Sequence, residues 1–181
     1  MVELLLNHGA DPNYRDNSCE TPMEIAIKRD DLEMMKTLFK HGADANLEGT
    51  DGGKTPIVHA AYKGNREACL LIVDHGGDVN YQKEDFLYTA LMEVILEAGY
   101  VGEPEKGLVA VDILMELGAD TNLVDLKDRT ALHLAVTHGE KTQVEALLKH
   151  GVPVDPALLE LAASDEEWKE KLELLNAAAK Q

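Results

Sequence analysis

A phrase of four residues recurs along this chain at nearly constant intervals, and it restricts the possible folds more than any other feature. His-Gly-Ala-Asp, or a variant of it, occurs five times. The glycines of the five copies are Gly9, Gly42, Gly76, Gly118 and Gly151, which lie 33, 34, 42 and 33 residues apart. A fixed period in this range is typical of a solenoid, in which short units stack on one another. The sequence therefore predicts one continuous array.

A second phrase marks a helix start in each period. It is Thr followed by Pro or Ala, at Thr21-Pro22, Thr55-Pro56, Thr89-Ala90 and Thr130-Ala131. Thr accepts hydrogen bonds from the amides of a first helical turn, and Pro is tolerated at the first helical position. Two apolar stripes with helical spacing follow, and the second ends at His-Gly, where Gly adopts the left-handed conformation that closes helices. Each period therefore predicts a helical hairpin.

The combination of Thr-Pro-x-x-x-Ala, Gly-Ala-Asp-x-Asn and a period of about 33 residues resembles the ankyrin repeat. The resemblance implies an all-α solenoid of stacked helical hairpins with β-turn fingers, and a concave groove lined by fingers and inner helices. The implied fingers are 13–20, 46–54, 80–88 and 122–129. We expect a single ankyrin-repeat domain over 1–181. Its units are a partial repeat at 1–13, full repeats at about 14–46, 47–80, 81–122 and 123–155, and C-terminal capping helices at 156–181.

The third full unit is longer than the others. Thr89 to Gly118 spans 29 residues, whereas the other three Thr-to-Gly intervals span 21. The eight extra residues fall around 97–107, a segment with three Gly and one Pro, and we expect a surface loop between the two helices there. Lengthening a loop costs little free energy, which favours a neutral insertion. The alternative is a contact loop that presents Tyr100 and Val101.

The finger before Thr89 is unusually apolar. It contains Phe86, Leu87 and Tyr88 where the family usually places polar residues and a glycine. The whole chain has only two Phe, five Tyr and one Trp, so two aromatic residues in one turn are a local concentration. Exposed aromatic side chains often anchor protein interfaces. We therefore expect Phe86 and Tyr88 to be the principal anchors of a partner.

The two ends of the array differ in character. Ser164 and Glu167 have capping-box spacing, which predicts a last helix whose Trp168, Leu172 and Leu175 face the stack. At the other end, residues 2–7 form only the second helix of a unit, and a helix this short is unstable without packing. We therefore expect the chain to be a fragment of a longer array, or its N-terminal face to be covered by another subunit.

The histidines invite a metal or acid–base interpretation, which their repeat positions largely remove. Four of the seven occupy the helix-closing phrase, and the resemblance implies that His133 supports the fingers. His59 and Glu93 occupy equivalent positions of consecutive inner helices, which predicts a neighbouring polar pair for recognition, not a catalytic dyad. The sequence contains no phosphate loop, HExxH, GxSxG or EF-hand pattern. We expect a non-catalytic chain with no cofactor and no metal.

Charge and cysteine content limit the partners and the compartment. The net charge is −17, from 34 acidic and 17 basic residues. This acidity repels nucleic acid and anionic membranes. It favours a protein partner with a basic surface, although solubility accounts for it equally well. The two cysteines lack CxxC spacing, which indicates reduced thiols in a reducing compartment. The sequence has no apolar run of about 18 residues, which a membrane-spanning helix would need. We therefore expect a cytoplasmic protein.

These observations predict a scaffold-like module that binds a partner protein through the concave groove. The predicted contacts are Arg29, Asp51, Lys54, His59, Tyr62, Lys63, Phe86, Tyr88, Glu93, Glu97, Tyr100, Lys127 and Arg129. Two alternatives stay open. One is a structural role with homo-oligomerisation through the uncapped N-terminal face, and the other is a regulatory domain of a larger enzyme.

Overall fold

The computed structural model of this chain describes residues 1–49 and 53–179, and throughout those ranges the regular secondary structure is helical. The all-α prediction is therefore confirmed. The chain divides into two compact units, Met1–Tyr81 and Gln82–Gln181. The single-domain assignment over 1–181 and the repeat boundaries stay predictions.

The described part of the first unit contains a single helix followed by two helical hairpins. Its helices are α1 (Val2–Asn7), α2 (Pro22–Lys28), α3 (Leu32–Lys40), α4 (Pro56–Tyr62) and α5 (Arg66–Asp74). The pairs α2/α3 and α4/α5 are hairpins, α4 packs on α2, and α1 packs on α3. The core between them is aliphatic and fully buried, with Ile27, Met35, Leu38, Ile57 and Ile72 at its centre.

The second unit contains three hairpins. Its helices are α6 (Ala90–Val101), α7 (Pro104–Glu116), α8 (Ala131–Thr137), α9 (Lys141–Lys149), α10 (Pro156–Ala163) and α11 (Lys169–Ala178), with a 3₁₀ turn at Glu166–Trp168. The hairpins α6/α7, α8/α9 and α10/α11 follow one another, with α8 on α6, α9 on α7 and α11 on α9. Each hairpin thus buries its apolar face against its neighbours.

The repeated phrases perform the local roles that the sequence predicts. The Thr21, Thr89 and Thr130 hydroxyls accept hydrogen bonds from the backbone N–H three residues ahead, at 3.1, 3.3 and 3.4 Å. At the opposite helix ends, the Nδ1 atoms of His8, His41 and His75 lie 2.8–2.9 Å from the carbonyl oxygen four residues back. The helix-start and helix-closing interpretations are confirmed at these residues.

Asparagine side chains connect consecutive turns of the first unit. Asn13 Nδ2 donates to the Gly42 carbonyl (3.1 Å), and its Oδ1 accepts from the Asp44 amide (2.8 Å). Asn46 makes the same pair of bonds to Gly76 (3.0 Å) and Asp78 (2.8 Å). The Gly-Ala-Asp-x-Asn phrase is therefore a docking element, because each Asn recognises the backbone of the next copy of the phrase.

The predicted surface loop around 97–107 is wrong. The extra residues extend two helices, so that α6 has 12 residues and α7 has 13, compared with 7 and 9 in α2 and α3. Only Gly102 and Glu103 separate them, and Gly102 ends α6 in the left-handed conformation at φ 70°. Gly99 and Gly107 are helical positions at which another group approaches too closely for a side chain. They are packing residues and not loop residues.

The predicted capping box at Ser164 is also wrong. The Ser164 hydroxyl donates to the Leu161 carbonyl (2.7 Å) at the end of α10, while Asp165 Oδ1 accepts from the Glu167 amide (2.9 Å) and caps the 3₁₀ turn. Helix α11 begins one turn later, at Lys169. The expected inward face is present, since Leu175 is fully buried and Trp168 and Leu172 are half-buried.

Replacing Gly99 by Ala tests whether the inserted part of α6 packs closely against the backbone of His138. An added Cβ would lie 2.1 Å from the His138 carbonyl oxygen. Overpacking of this kind costs about 1–3 kcal/mol, although Ala is intrinsically a better helix former than Gly by about 1 kcal/mol. We expect urea denaturation to show a net loss of stability. Gly102→Ala is the matched control, because a Cβ there meets open space and only left-handed strain of about 1–2 kcal/mol remains. Stabilisation by Gly99→Ala would contradict the close packing.

Candidate functional site

Two fingers of the second unit, residues 82–88 and 122–129, are tight turns closed by backbone hydrogen bonds. The Lys83 amide donates to the Tyr88 carbonyl (3.3 Å), and the Asp125 amide donates to the Arg129 carbonyl (3.0 Å). Each turn closes through a residue with positive φ, at Leu87 (56°) and Asp128 (58°). Glycine adopts this conformation without a steric cost, whereas a leucine resists it. The finger 82–88 is therefore strained at Leu87, where an apolar residue stands in place of glycine.

The two fingers are fixed to each other, and we call them together the two-finger surface (82–88 and 122–129). Gln82 Nε2 donates to the Leu87 carbonyl (2.7 Å) of its own finger and to the Val124 carbonyl (2.9 Å) of the next. In addition, the Leu126 amide donates to the Phe86 carbonyl (3.3 Å). The side-chain amide and this backbone bond preorganise the surface.

The two-finger surface carries a cluster of exposed apolar side chains. Phe86 is 56% exposed and Leu126 is 62% exposed. The rings of Phe86 and Tyr88 stack with their centroids 5.5 Å apart and an interplanar angle of 17°. Val124 on the second finger is also exposed. Large apolar side chains grouped at exposed positions are a feature of protein interaction sites.

Arg129 connects the aromatic cluster to the base of the second finger. Its Nε and Nη2 donate to Asp125 Oδ2 at 2.9 and 2.7 Å, and Nη2 also lies 3.4 Å from the Tyr88 hydroxyl oxygen. Burial of Asp125 acts to raise its pKa, but the bonds from Arg129 and from the Lys127 and Arg129 amides outweigh burial and lower it. The carboxylate is therefore charged at neutral pH and holds the guanidinium beside Tyr88.

Glu93 lies in a buried ion pair and not on an open groove. Its carboxylate meets the Lys83 ammonium, and both side chains are almost fully buried. In the first unit, His59 Nε2 lies 3.1 Å from Glu24 Oε1, and Glu24 is buried. The two members of the predicted His59–Glu93 pair thus each have a charged neighbour within their own unit. Glu93, on α6, therefore has a structural role, because it pairs with Lys83 of the finger 82–88.

The other predicted contacts are spread over both units. In the first unit, Arg29 and Lys63 are exposed, while Lys54 and Tyr62 are half-buried. Lys63 Nζ donates to Asp30 Oδ2 (2.7 Å) and to the Lys28 carbonyl (2.8 Å). Asp51 lies outside the described residues.

In the second unit, Lys127 is exposed on the two-finger surface, whereas Glu97 and Tyr100 lie in the second half of α6. Tyr100 is 78% exposed. It is ten residues along the helix from Ala90, a distance of about 15 Å at 1.5 Å per residue. Tyr100 is therefore separate from the aromatic cluster of the fingers.

Gln82, Val124 and Leu126 belong to the two-finger surface and are not among the predicted contacts. Val124 and Leu126 alternate with polar residues in a segment that otherwise reads as a turn, and this alternation was the signal available in the sequence. Gln82 had no such signal, because its role depends on the distance between two fingers 42 residues apart.

Two other features of the described residues bear on the function. Within 1–49 and 53–179, no group of three or more His, Cys, Asp or Glu side chains is arranged to hold a metal ion. No helix in the same ranges has the length and apolar character needed to cross a membrane.

Removing the lysine of the buried pair should destabilise the second unit strongly. Lys83→Met leaves the Glu93 carboxylate buried without its ammonium, and breaking a buried pair typically costs about 3–5 kcal/mol. The double variant Lys83→Met/Glu93→Leu removes both charges and should recover most of the loss. Chemical denaturation of the two variants checks this. An additive loss in the double variant would show that the two residues do not compensate each other.

Comparison with known proteins identifies the family. A family model described as ankyrin repeats in three copies matches residues 1–83, and a single ankyrin repeat model matches residues 127–159. A solved ankyrin repeat domain from Acinetobacter baumannii AYE is 31% identical, with a TM-score of 0.60 over 82% of this chain and 73% of that one. The predicted fold class, an all-α ankyrin-repeat solenoid of stacked helical hairpins, is confirmed.

Two curated relatives carry the repeats within much longer chains. An ankyrin repeat protein of fowlpox virus (strain NVSL) is 40% identical over 90 residues, which is 49% of this chain and 20% of the viral protein. The human transient receptor potential cation channel subfamily A member 1 is 28% identical over 164 residues, which is 86% of this chain and 14% of the channel. This chain thus spans a fifth or less of the length of these relatives. From its repeated phrases, its helical hairpins and these matches, the chain belongs to the ankyrin repeat family.

Proposed function

We propose that this chain is a non-catalytic protein-interaction module that binds a partner protein mainly through the two-finger surface. The observation that carries the proposal is the stacked Phe86–Tyr88 pair, in which Phe86 is exposed and Tyr88 is half-buried, on a finger that Gln82 fixes to its neighbour. Ankyrin repeats generally mediate interactions between proteins. On this surface, the finger 82–88 carries large apolar residues where such a turn is usually polar.

Preorganisation supports this assignment. Binding is opposed by the entropy lost when side chains and loops become ordered. The fingers are closed by their own backbone hydrogen bonds, joined by Gln82, and braced by Arg129 between Asp125 and Tyr88. The anchor side chains therefore need little further ordering when a partner docks, and their apolar area contributes more fully to the affinity.

The charges around the cluster indicate the chemistry of the partner. Glu84 and Asp85 precede Phe86 and are exposed, and the chain as a whole carries a net charge of −17. A partner that presents an apolar side chain flanked by basic residues would match both the cluster and its acidic border. The exposed Lys127 stays a predicted contact in the second unit, and Arg29 and Lys63 stay predicted contacts in the first.

The absence of a catalytic role is part of the proposal. The pairs Lys83–Glu93, Arg129–Asp125 and His59–Glu24 hold fingers and inner helices in place, so their side chains already have structural roles. The Cys69 thiol is buried, and burial raises its pKa to about 12, which makes it a poor nucleophile. A reducing, cytoplasmic location would keep it and the exposed Cys19 as thiols.

Alanine substitution of the aromatic pair tests the proposal. Phe86→Ala/Tyr88→Ala should weaken binding by about 2 kcal/mol or more, because central aromatic anchors contribute most of an interface's energy. The partner would be captured with the wild-type chain, identified by mass spectrometry, and titrated calorimetrically against both chains. Leu70→Ala, at an exposed apolar position on α5 in the first unit, is the control. Unchanged affinity in a folded double variant would place the site elsewhere.

Self-association is a second candidate, favoured by one observation. Leu4 and Leu5 on α1 are 57% and 55% exposed, and together with Met1 they form an apolar face of the first unit. If this face associates, sedimentation equilibrium should show a mass that rises with concentration, and Leu4→Glu/Leu5→Glu should abolish the rise. A constant monomeric mass would remove this candidate.

A further inference from the structure

We propose a second binding site in the second unit, on the C-terminal side of the finger 122–129. It binds an extended polypeptide segment of a partner protein, which pairs its backbone with the side-chain amide of Asn122 and inserts an aliphatic side chain into the adjacent cleft. This site is distinct from the two-finger surface and does not depend on it.

The first unit shows what an asparagine at this position of the repeat recognises. Asn13 and Asn46 each donate to a glycine carbonyl and accept from the amide of the residue two positions later. A carbonyl at one residue and an amide two residues on point to the same side of an extended chain. The asparagine amide is therefore a receptor for two groups of extended backbone.

Asn122 occupies the same position of its repeat, but the next copy of the phrase cannot complete the bridge. That copy reads His150-Gly151-Val152-Pro153, so proline stands where Asp44 and Asp78 supply the amide. Proline has no backbone N–H to donate. The Nδ2 atom of Asn122 turns back to Asp120 instead and lies 3.0 Å from its Oδ1. The Asn122 backbone N donates to the same oxygen (2.9 Å), as the backbone N atoms of Asn13 and Asn46 do to their preceding Asp.

A cleft of about 250 Å³ lies beside Asn122. Its aliphatic walls are formed by Leu132, Val152 and Leu158, and His133 and Thr130 supply the polar wall. The cleft exists because the helices continue into α10 while the finger after α9 is reduced to residues 152–155. Finger 122–129 therefore has helices on its C-terminal side but no following finger to cover its base.

The polar wall of the cleft suits a neutral occupant. His133 Nδ1 lies 2.9 Å from the Thr130 hydroxyl oxygen. Burial lowers the pKa of His133, with a smaller contribution from Arg129 in the same direction, and Asp155 and Asp125 oppose it. The imidazole is therefore neutral at physiological pH. Asp155 also lines the cleft, and its Oδ1 accepts from the Ala157 amide (2.9 Å) at the start of α10. The neutral imidazole and hydroxyl, the aliphatic sides and the amide receptor together match an extended backbone with a Val, Leu or Ile side chain.

One substitution should make the chain's own backbone occupy the Asn122 side chain. Pro153→Asp restores a backbone N–H at the position equivalent to Asp44 and Asp78. We expect Asn122 then to bridge to residues 151–153, as Asn13 bridges to Gly42 and Asp44. The variant should be at least as stable as the wild type to thermal denaturation, and it should no longer accept an external segment at Asn122.

The test uses linear random heptapeptides displayed on phage, selected on the full chain and counter-selected on the Pro153→Asp variant. Synthetic copies of the enriched peptides would be titrated by fluorescence anisotropy. We expect peptides that contain an aliphatic residue, bind Asn122→Ala and Pro153→Asp about tenfold more weakly than wild type, and bind Phe86→Ala with unchanged affinity.

Several results would overturn the proposal. One is that no peptide survives the counter-selection, and another is equal affinity for the wild type, Asn122→Ala and Pro153→Asp. Binding lost only in Phe86→Ala would assign the peptides to the two-finger surface. A self-association of the wild type that Pro153→Asp abolishes would identify the occupant as a second copy of the chain. Thermal denaturation of Asn122→Ala and Pro153→Asp establishes that each variant is folded.

Discussion

No single hairpin of this chain can bury its own apolar face, and this constraint determines the rest of the structure. The inner helices meet through small residues, with Ala26 and Ala60 fully buried in the first unit and Ala135 in the second. Within each unit, a hairpin must therefore match the adjacent hairpin in register and in helix direction. The caps, the helix-closing histidines and the asparagine bridges maintain that register. Most residues of a unit consequently have a structural role.

The features that the sequence predicted correctly depend on short-range chemistry. A Thr three residues before the amide it caps, and a His four residues after the carbonyl it contacts, form their bonds within one helical turn. Such interactions can be read from the sequence alone because both partners lie in the same phrase. The exposure of Phe86 was predictable for a related reason, since a large aromatic residue stands out against the polar turn expected there.

The features that the sequence misjudged depend on neighbours distant along the chain. Gly99 and Gly102 look identical in a Gly-rich segment, but only Gly102 ends a helix, while Gly99 makes room for the backbone of His138. In the same way, periodicity places Glu93 on the inner face of α6 without showing that Lys83 covers it. Helical spacing identifies a face, whereas the identity of the covering group requires the tertiary structure.

The finger 122–129 belongs to both of the proposed binding surfaces. One side of it is fixed to the preceding finger through Gln82 and Leu126, and this contact makes the aromatic cluster rigid. Its other side lacks such a neighbour because Pro153 cannot supply the amide that Asn122 would need. Proline at the edge of a β-sheet limits further pairing in a similar way, by removing a donor. Here Asn122 is still present, so its side-chain amide can bind backbone groups although the asparagine bridge to the next phrase is missing. An extended segment at this side of the finger needs only the asparagine amide and the aliphatic cleft.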